Sequence, residues 1–441
     1  MGIKVDWLRR DLNTIDLLAL GYSDVSSTYY FTLGIIALYS GSALPIIMLV
    51  GSLSMWLIGL AYAEFGSAIP RTGGAYYYIK RELGNFMGFI AGWLLSFDQI
   101  LMIAYGALGT TNYLSGVLST LRAWPINSLF SIIIILMLMI INILGIKLSA
   151  RFNLFLLTID LLGILLLLWV GYTHVILSKV LTGFKFQVKM GNIINGLAYS
   201  LRGYTGIDVI AQSTGEALVP AISVPRAIIG VSSLSVIIAL SLSLLALLTG
   251  AISSISIEDP IGSLARYVIH SIYMITYISV SIAIVLLIAV NAGLIDFSRS
   301  MYVMSEDKLL PRVFSRVHGR YRTPYISIII SSLIAIAFIA PGSVDIIASS
   351  YGIASTIVYL MTMASLIRFR NYERKLVRYF HTPSIIIRGL EIPLISLIGF
   401  IVYGTAIILI AMLKPLYLVI VLLWLVVGIV IYQVNKVSPR T

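Results

Sequence analysis

No cysteine occurs among the 441 residues, so disulfides and thiolate-held metals are excluded. Charge is scarce as well. Asp, Glu, Lys and Arg make up 11% of the chain, against roughly 25% in a soluble globular protein. The four histidines include His174 and His270, each alone near the outer side, and no spacing supports a metal site. Also missing are a Ser-His-Asp order, a phosphate-cradling glycine loop and any metal cluster, which argues against an enzyme. Met1 to Asn13 is short and charged and has no apolar core, so no cleavable signal peptide is expected. The longest polar segments, 305–324 and 368–391, are too short for an independent soluble core.

What the chain has in excess is apolar surface. Hydrophobic residues are 59% of the total, more than water can solvate in a folded chain, so lipid is the expected solvent. Twelve runs of spanning length can be drawn, at 14–39, 43–66, 84–112, 127–145, 150–172, 192–216, 226–252, 267–304, 325–340, 343–367, 393–413 and 415–435. The expected fold class is therefore an all-α polytopic membrane protein. The net charge of +12 is a topology signal rather than a nucleic-acid signal. With the N-terminus inside, 23 of the 30 Lys and Arg fall on the inner side, 6 on the outer side, and Arg202 within a span. That bias predicts cytoplasmic termini in a cell-membrane protein, with anionic lipid headgroups as partners on that side.

Two spans are interrupted at corresponding places, five spans apart. The first carries Gly21-Tyr22-Ser23-Asp24-Val25-Ser26-Ser27-Thr28, and the sixth carries Arg202-Gly203-Tyr204-Thr205-Gly206-Ile207-Asp208. Broken helices in matching halves are the sequence mark of a transporter site, because half-helix ends and freed backbone groups bind ligand and ions. Glycine and serine also serve plain helix packing, but a matched pair of breaks, each with a charge, favours transport. Ionisable residues deep in a span are costly and mark function by default. Here they are Asp24, Asp98, Asp160, Arg202, Asp208 and Asp296. Asp98 shares a helical face with Tyr105, Gly109 and Asn112, and Asp160 shares one with Asn153. A structural pairing competes for each, for Asp296 with Arg299 three residues on. Glu64 and Glu216 sit near span ends, where a solvated or capping role is expected. Substrate contacts are expected from Ser23, Asp24, Ser26, Ser27, Arg202, Gly203, Tyr204, Gly206 and Asp208. Asp24, Arg202 and Asp208 are expected to line one cavity.

Several stretches resemble the amino acid–polyamine–cation permease superfamily. Tyr62-Ala63-Glu64-Phe65-Gly66 through Pro70-Arg71-Thr72-Gly73-Gly74-Ala75-Tyr76 is similar to its helix 2 end and re-entrant loop. Phe89-Ile90-Ala91-Gly92-Trp93 resembles the opening of helix 3. Asn142-Ile143-Leu144-Gly145-Ile146-Lys147, Gly215-Glu216-Ala217 with Pro225-Arg226, and Asp307-Lys308-Leu309-Leu310-Pro311 resemble later joints. The match runs in order over roughly 12–340. It implies two inverted five-helix repeats, 14–172 and 192–367, with helices 1 and 6 broken and two appended helices at 393–435. It also implies a secondary transporter of a small molecule, with no cofactor.

Amino acid members of that superfamily usually carry a Gly-Ser-Gly type break in helix 1, whose bare N–H groups hold the substrate carboxylate. Ser23-Asp24-Val25-Ser26-Ser27 instead looks like the potassium-uptake branch, where acids in helices 1, 3 and 6 serve the cation. Asp24, Asp98 and Asp208 stand near matching positions. Arg202 opposes a bare cation and welcomes a carboxylate, since a guanidinium stays charged. The expectation is thus amino acid transport, with potassium–proton symport as the alternative. In helix 5, Asp160 aligns with a position where several members carry a lysine that stands in for a coupling sodium. A carboxylate among Leu, Ile and Gly is costly in its charged form. Asp98, Asp160 and Asn153 are therefore the candidates for coupling to H+ or Na+, against the plainer reading of Asp160 as a protonated inter-helix hydrogen bonder.

Overall fold

In lipid every backbone N–H and C=O must find its partner within the chain, and helices do this locally. The computed structural model of the chain follows that demand over residues 10–145, 150–178, 190–200, 203–340, 344–413 and 415–437, which are the residues it describes. The helices are α1 (Thr14–Ser40), α2 (Leu44–Ala68), α3 (Gly74–Leu83), α4 (Asn85–Ser115), α5 (Ile126–Ile143), α6 (Ala150–Ser178), α7 (Met190–Ser200), α8 (Asp208–Gln212), α9 (Pro220–Leu248), α10 (Pro260–Val268), α11 (Ile272–Glu306), α12 (Tyr325–Ile339), α13 (Val344–Tyr372), α14 (Leu394–Leu413) and α15 (Pro415–Val437). Among the described residues, nine stretches are long and apolar enough to cross a bilayer, and one of them, Thr14–Ala68, holds both α1 and α2. Splitting that stretch, and adding the short apolar α12 and the interrupted α7–α8 pair, accounts for the twelve crossings expected.

α1 is the centre of the bundle. Asn13 caps it reciprocally: its Oδ1 accepts from the N–H of Ile15 and Asp16, and Asp16 Oδ2 accepts from the N–H of Asn13. From Gly21 to Ala37 every side chain is buried, as befits a helix with packed neighbours on all sides. Those neighbours include α9, α7, α11 and α6. α4 and α11 form the most extensive helix pair. They approach closely because Gly106 and Gly293 lie at the crossing. A Cβ at Gly106 would sit 2.9 Å from the Leu286 carbonyl, and one at Gly293 3.0 Å from the Gln99 carbonyl. α15 is the least buried of the spanning segments. It is clasped to α4 by stacked Trp93 and Trp424, each indole N–H donating to the other's backbone carbonyl at 2.7 and 2.9 Å.

The expected break in helix 1 does not occur: α1 is continuous through residues 22–28. The serines that suggested a break hold the helix together instead. Ser23 Oγ donates to the Leu20 carbonyl, Ser26 to Ser23, and Ser27 and Thr28 to Asp24. Each hydroxyl is satisfied one turn back and no proline intervenes. Helix 6 is interrupted as expected. α7 ends at Ser200 and α8 begins at Asp208, with Gly203 to Ile207 non-helical between them. Leu201 and Arg202 lie outside the described residues. The break is held by Thr28 Oγ1, which donates to the Thr205 carbonyl at 3.2 Å.

One element had no signal in the apolar pattern. Between α13 and α14 the chain makes a hairpin, β1 (Ser384–Ile387) paired antiparallel with β2 (Leu390–Pro393). Its two turn residues, Arg388 and Gly389, both have positive φ, at 51° and 81°, the geometry of a two-residue turn matched to strand twist.

Candidate functional site

The break in helix 6 brings the backbone at Gly206 against α1. At Gly206, φ is +112°, and a Cβ there would fall 2.8 Å from Asp24 Cγ. Only glycine allows both the conformation and the approach. Around this contact lies a cavity between α1, α4, α8 and α11. Asp24, Asp98, Asp208 and Asp296 line it, together with Gly206, Gln99 and Gln212, and apolar walls come from Leu95, Met102 and Val209. Its free volume is about 20 Å³, room for roughly one water molecule. The helices must separate before anything as large as an amino acid fits.

The carboxylates are held differently. Asp208 Oδ1 accepts from Tyr62 of α2 at 2.5 Å and its Oδ2 from Tyr359 of α13 at 2.9 Å. Asp98 Oδ1 accepts from Ser355 of α13 at 2.9 Å. Asp24 is 5% exposed, and its Oδ1 has no hydrogen-bond partner. Gln99 is equally buried, and neither atom of its amide has a partner. No Lys or Arg is among the described residues lining the cavity.

Of the expected substrate residues, Asp24, Gly206 and Asp208 meet here, joined by Asp98 from the expected coupling set. Ser23, Ser26 and Ser27 do not line the cavity. Their hydroxyls turn back onto α1, and Ser27 also bonds Tyr105 at 3.0 Å. Gly203 packs against Ile36 and Thr32 of α1, and Tyr204 lies buried beside Tyr29. Asp296, for which a pairing with Arg299 competed, lines the cavity, while Arg299 bonds Glu216 at 3.1 Å. Tyr62, Tyr359 and Gln99 were not foreseen, and an aromatic or amide in an apolar run carries no signal by itself.

Asp160 is elsewhere. It is fully buried on α6, where Oδ2 accepts from Tyr30 at 2.7 Å and Oδ1 has no partner. Tyr30, Tyr22 and Tyr29 of α1 carry that contact onward, hydroxyl to hydroxyl, at 3.3 Å. Asn153 lies two turns earlier on α6, its amide oxygen also without a partner.

Two further polar clusters lie outside the spans' centre. At the end bearing the basic loops, Glu64 is fully buried rather than solvated. Arg370 Nε and Nη2 donate to its two oxygens at 2.7 and 2.5 Å. The same guanidinium reaches Glu391 of β2 at 2.9 Å and Thr382 at 2.7 Å. The expected solvated role of Glu64 fails because its partner lies 306 residues away. Beside this cluster, burial and then the nearby Glu373 push the Glu82 carboxyl of α3 up to about 7, against the pull of Arg81 and Arg368. At the opposite end, Asp259 pairs with Arg266 at 2.6 Å on the rim of a pocket of about 570 Å³. Burial raises Asp259 to about 6, with Arg266 and Arg122 opposing.

The sequence profile of the family described as amino acid permease matches residues 12–438. The chain belongs to that family. It is a multi-pass membrane transporter of the amino acid–polyamine–cation superfamily and not an enzyme. Among relatives of this permease, the branched-chain amino acid permease BcaP of Bacillus subtilis is 26% identical, the match covering 96% of this chain and 92% of the relative. The serine/threonine exchanger SteT of the same organism is 28% identical over 77% of this chain and 78% of its own. The B. subtilis methylthioribose transporter is 26% identical over 88% and 86%. Among solved structures, the Eremococcus coleocola manganese transporter shares the fold. Its TM-score is 0.58 at 13% identity, covering 99% of both chains.

Proposed function

We propose that this permease is a secondary active transporter that moves amino acids across the cell membrane by alternating access, with both termini cytoplasmic. The observation that carries the reading is the cavity at the helix 6 break, where carboxylates of α1, α4, α8 and α11 converge deep in the bundle. Carboxylates at membrane depth are retained for a ligand or ion pathway, and an amino acid brings the ammonium they answer. BcaP and SteT, by name transporters of amino acids, support the substrate class. Arg202, at the edge of the break in sequence, is the candidate partner for the substrate carboxylate. The inward excess of Lys and Arg supports the orientation, and tag mapping that put the 305–324 loop outside would overturn it.

The test of substrate class is uptake into proteoliposomes of labelled amino acids beside rubidium as a potassium surrogate. Saturable amino acid flux is expected. Saturable rubidium flux without amino acid flux would hand the case to potassium–proton symport.

Coupling to a proton or sodium gradient is assigned to Asp160, which stands apart from the substrate cavity yet touches α1 through Tyr30. A carboxylate that gains or loses charge there alters the packing of the helix that carries Asp24. Asp160→Asn is expected to abolish gradient-driven accumulation while downhill exchange continues. Unchanged accumulation would remove Asp160 and leave Asp24 and Asp98 as the proton carriers.

A further inference from the structure

The hairpin between α13 and α14 has two unlike faces. Side chains alternate along a strand, and cross-strand partners share a face. The pairing of Ile385 with Ile392 and of Ile387 with Leu390 therefore makes one face wholly aliphatic. None of the four is buried, and Ile387 and Leu390 are 46% and 52% exposed. The other face carries Glu391, bound to Arg370 at 2.9 Å, and Pro393, which is buried. Asn371 of α13 fastens that strand further, bonding both the N–H and the carbonyl of Glu391. The hairpin is thus fixed to the protein on one side and open on the other.

Charge is one-sided here as well. Residues 368–391 hold six Lys or Arg and two acids. Both acids are engaged, Glu373 with Arg81 and Glu391 with Arg370. Arg374, Lys375 and Arg388 are exposed. Arg374 Nη2 donates to the Gly389 carbonyl at 3.4 Å, which brings a second guanidinium to the turn that Arg388 begins. Like charges gathered at one turn are stabilised by an anion from outside the chain. The hairpin also lies at the membrane boundary. β2 ends at Pro393 and the spanning α14 starts at Leu394, whose N–H donates to the Pro383 carbonyl at 2.9 Å. Strands of this length reach only about 13 Å, so even the turn stays close to the bilayer surface. Tyr372 and Tyr379, both exposed, belong to the same connection, and tyrosine is enriched at that level of a membrane.

We propose that the hairpin lies with its aliphatic face on the leaflet at the basic end of the bundle, and takes anionic phospholipid headgroups at Arg374 and Arg388. Aliphatic side chains set into the boundary between headgroups and acyl chains, with basic residues beside them, hold an element on a membrane surface. Each basic side chain near an anionic surface adds to the apolar contact. Lipid is favoured over a protein partner because exposed apolar surface continues from the hairpin into α14, at Leu397, Ile398 and Ile401. Through Glu391, Arg370 and Glu64, the docked hairpin ties that leaflet to α13 and α2.

The chain has no cysteine, so a single introduced one carries a spin label without ambiguity. Labels are placed by Ile387→Cys and, independently, by Leu390→Cys on the aliphatic face, and by Ile386→Cys on the opposite face. The protein sits one copy to a nanodisc of phosphatidylcholine, with or without phosphatidylglycerol. Relaxation of the label by oxygen, which enters lipid, is compared with relaxation by a water-soluble nickel chelate. With phosphatidylglycerol, the labels at 387 and 390 should be reached by oxygen and shielded from nickel, while the label at 386 is reached by nickel. Without phosphatidylglycerol, shielding at 387 and 390 should weaken. Arg374→Gln and Arg388→Gln should each lower the ratio of docked to free hairpin roughly fivefold, and together should make the two lipid compositions alike. Equal nickel access at 386 and 387 would overturn the proposal. So would labels that respond to neither phosphatidylglycerol nor the arginine variants. Shielding at 387 from both reagents would overturn it too, by showing that protein covers the face.

Discussion

Replacing Arg370 by methionine should destabilise the protein more than any surface change could. The guanidinium is 1% exposed and Glu64 is fully buried. The substitution deletes both bonds to Glu64, the two from Nη2 to Thr382 and the one to Glu391. Glu64 then keeps only the N–H and hydroxyl of Thr382, at 3.2 and 2.8 Å. Two neutral donors do not offset a buried carboxylate, and stranding one partner of a buried pair costs about 3–5 kcal/mol. Glu64→Gln should cost less, about 1–3 kcal/mol, because Arg370 retains Glu391 at a partly exposed edge. The double variant Glu64→Leu with Arg370→Met leaves neither charge, and should recover most of the loss. Denaturant unfolding in detergent, followed by tryptophan fluorescence, measures all three. A cost below about 1 kcal/mol for Arg370→Met, or a double variant no more stable than Arg370→Met alone, would refute the reasoning.

Three other outcomes are expected. Tyr62→Phe and Tyr359→Phe each remove one donor from Asp208. A hydrogen bond to a charged group contributes about 1.5–3 kcal/mol, so substrate affinity in the uptake assay should fall at least tenfold in each, and normal affinity in both would show Asp208 to be a bystander. Gly206→Ala places a methyl 2.8 Å from Asp24 Cγ at a φ of +112°; transport should be lost while the protein still inserts, and wild-type flux would mean that the α1–α8 contact is not part of the working site. Glu82 holds its proton up to about 7 in the folded protein against 4.5 ordinarily. The folded state is therefore the more protonated between those values, and stability falls as pH rises from about 4.5 to about 7. Melting temperatures at pH 5 and 8 should differ less in Glu82→Gln than in the natural protein, and an equal difference would sink the assignment.

The spans were legible because apolar runs of that length have no other home. The break in helix 6 was legible because Gly203 and Gly206 bracket polar residues at membrane depth. Helix 1 misled because serine and threonine suit both a break and a back-bonded helix, and only the packing around α1 decides between them. Asp24, Asp98 and Asp208 stood out because a lone acid in an apolar run is costly wherever it points. Their holders did not: Tyr62 and Tyr359 lie 146 and 151 positions from Asp208, and nothing local couples them. For Asp296 both a functional role and a pairing with Arg299 one turn away were open, and only the fold, which bonds Arg299 to Glu216 and puts Asp296 on the cavity, separates them.

The hydroxyls along α1 carry a consequence for its stability in lipid. Through the middle of the helix, the carbonyls of Leu20, Ser23, Asp24 and Thr28 accept a side-chain hydroxyl in addition to their place in the helical ladder. A carbonyl left bare in hydrocarbon would cost several kcal/mol, and over this stretch each of these carbonyls has a second donor within the helical turn. α1 is thus bonded twice over this stretch, by its ladder and by its hydroxyls. This doubly bonded stretch of α1 includes Asp24, which lines the cavity, so the residues that reinforce the helix are neighbours of the site.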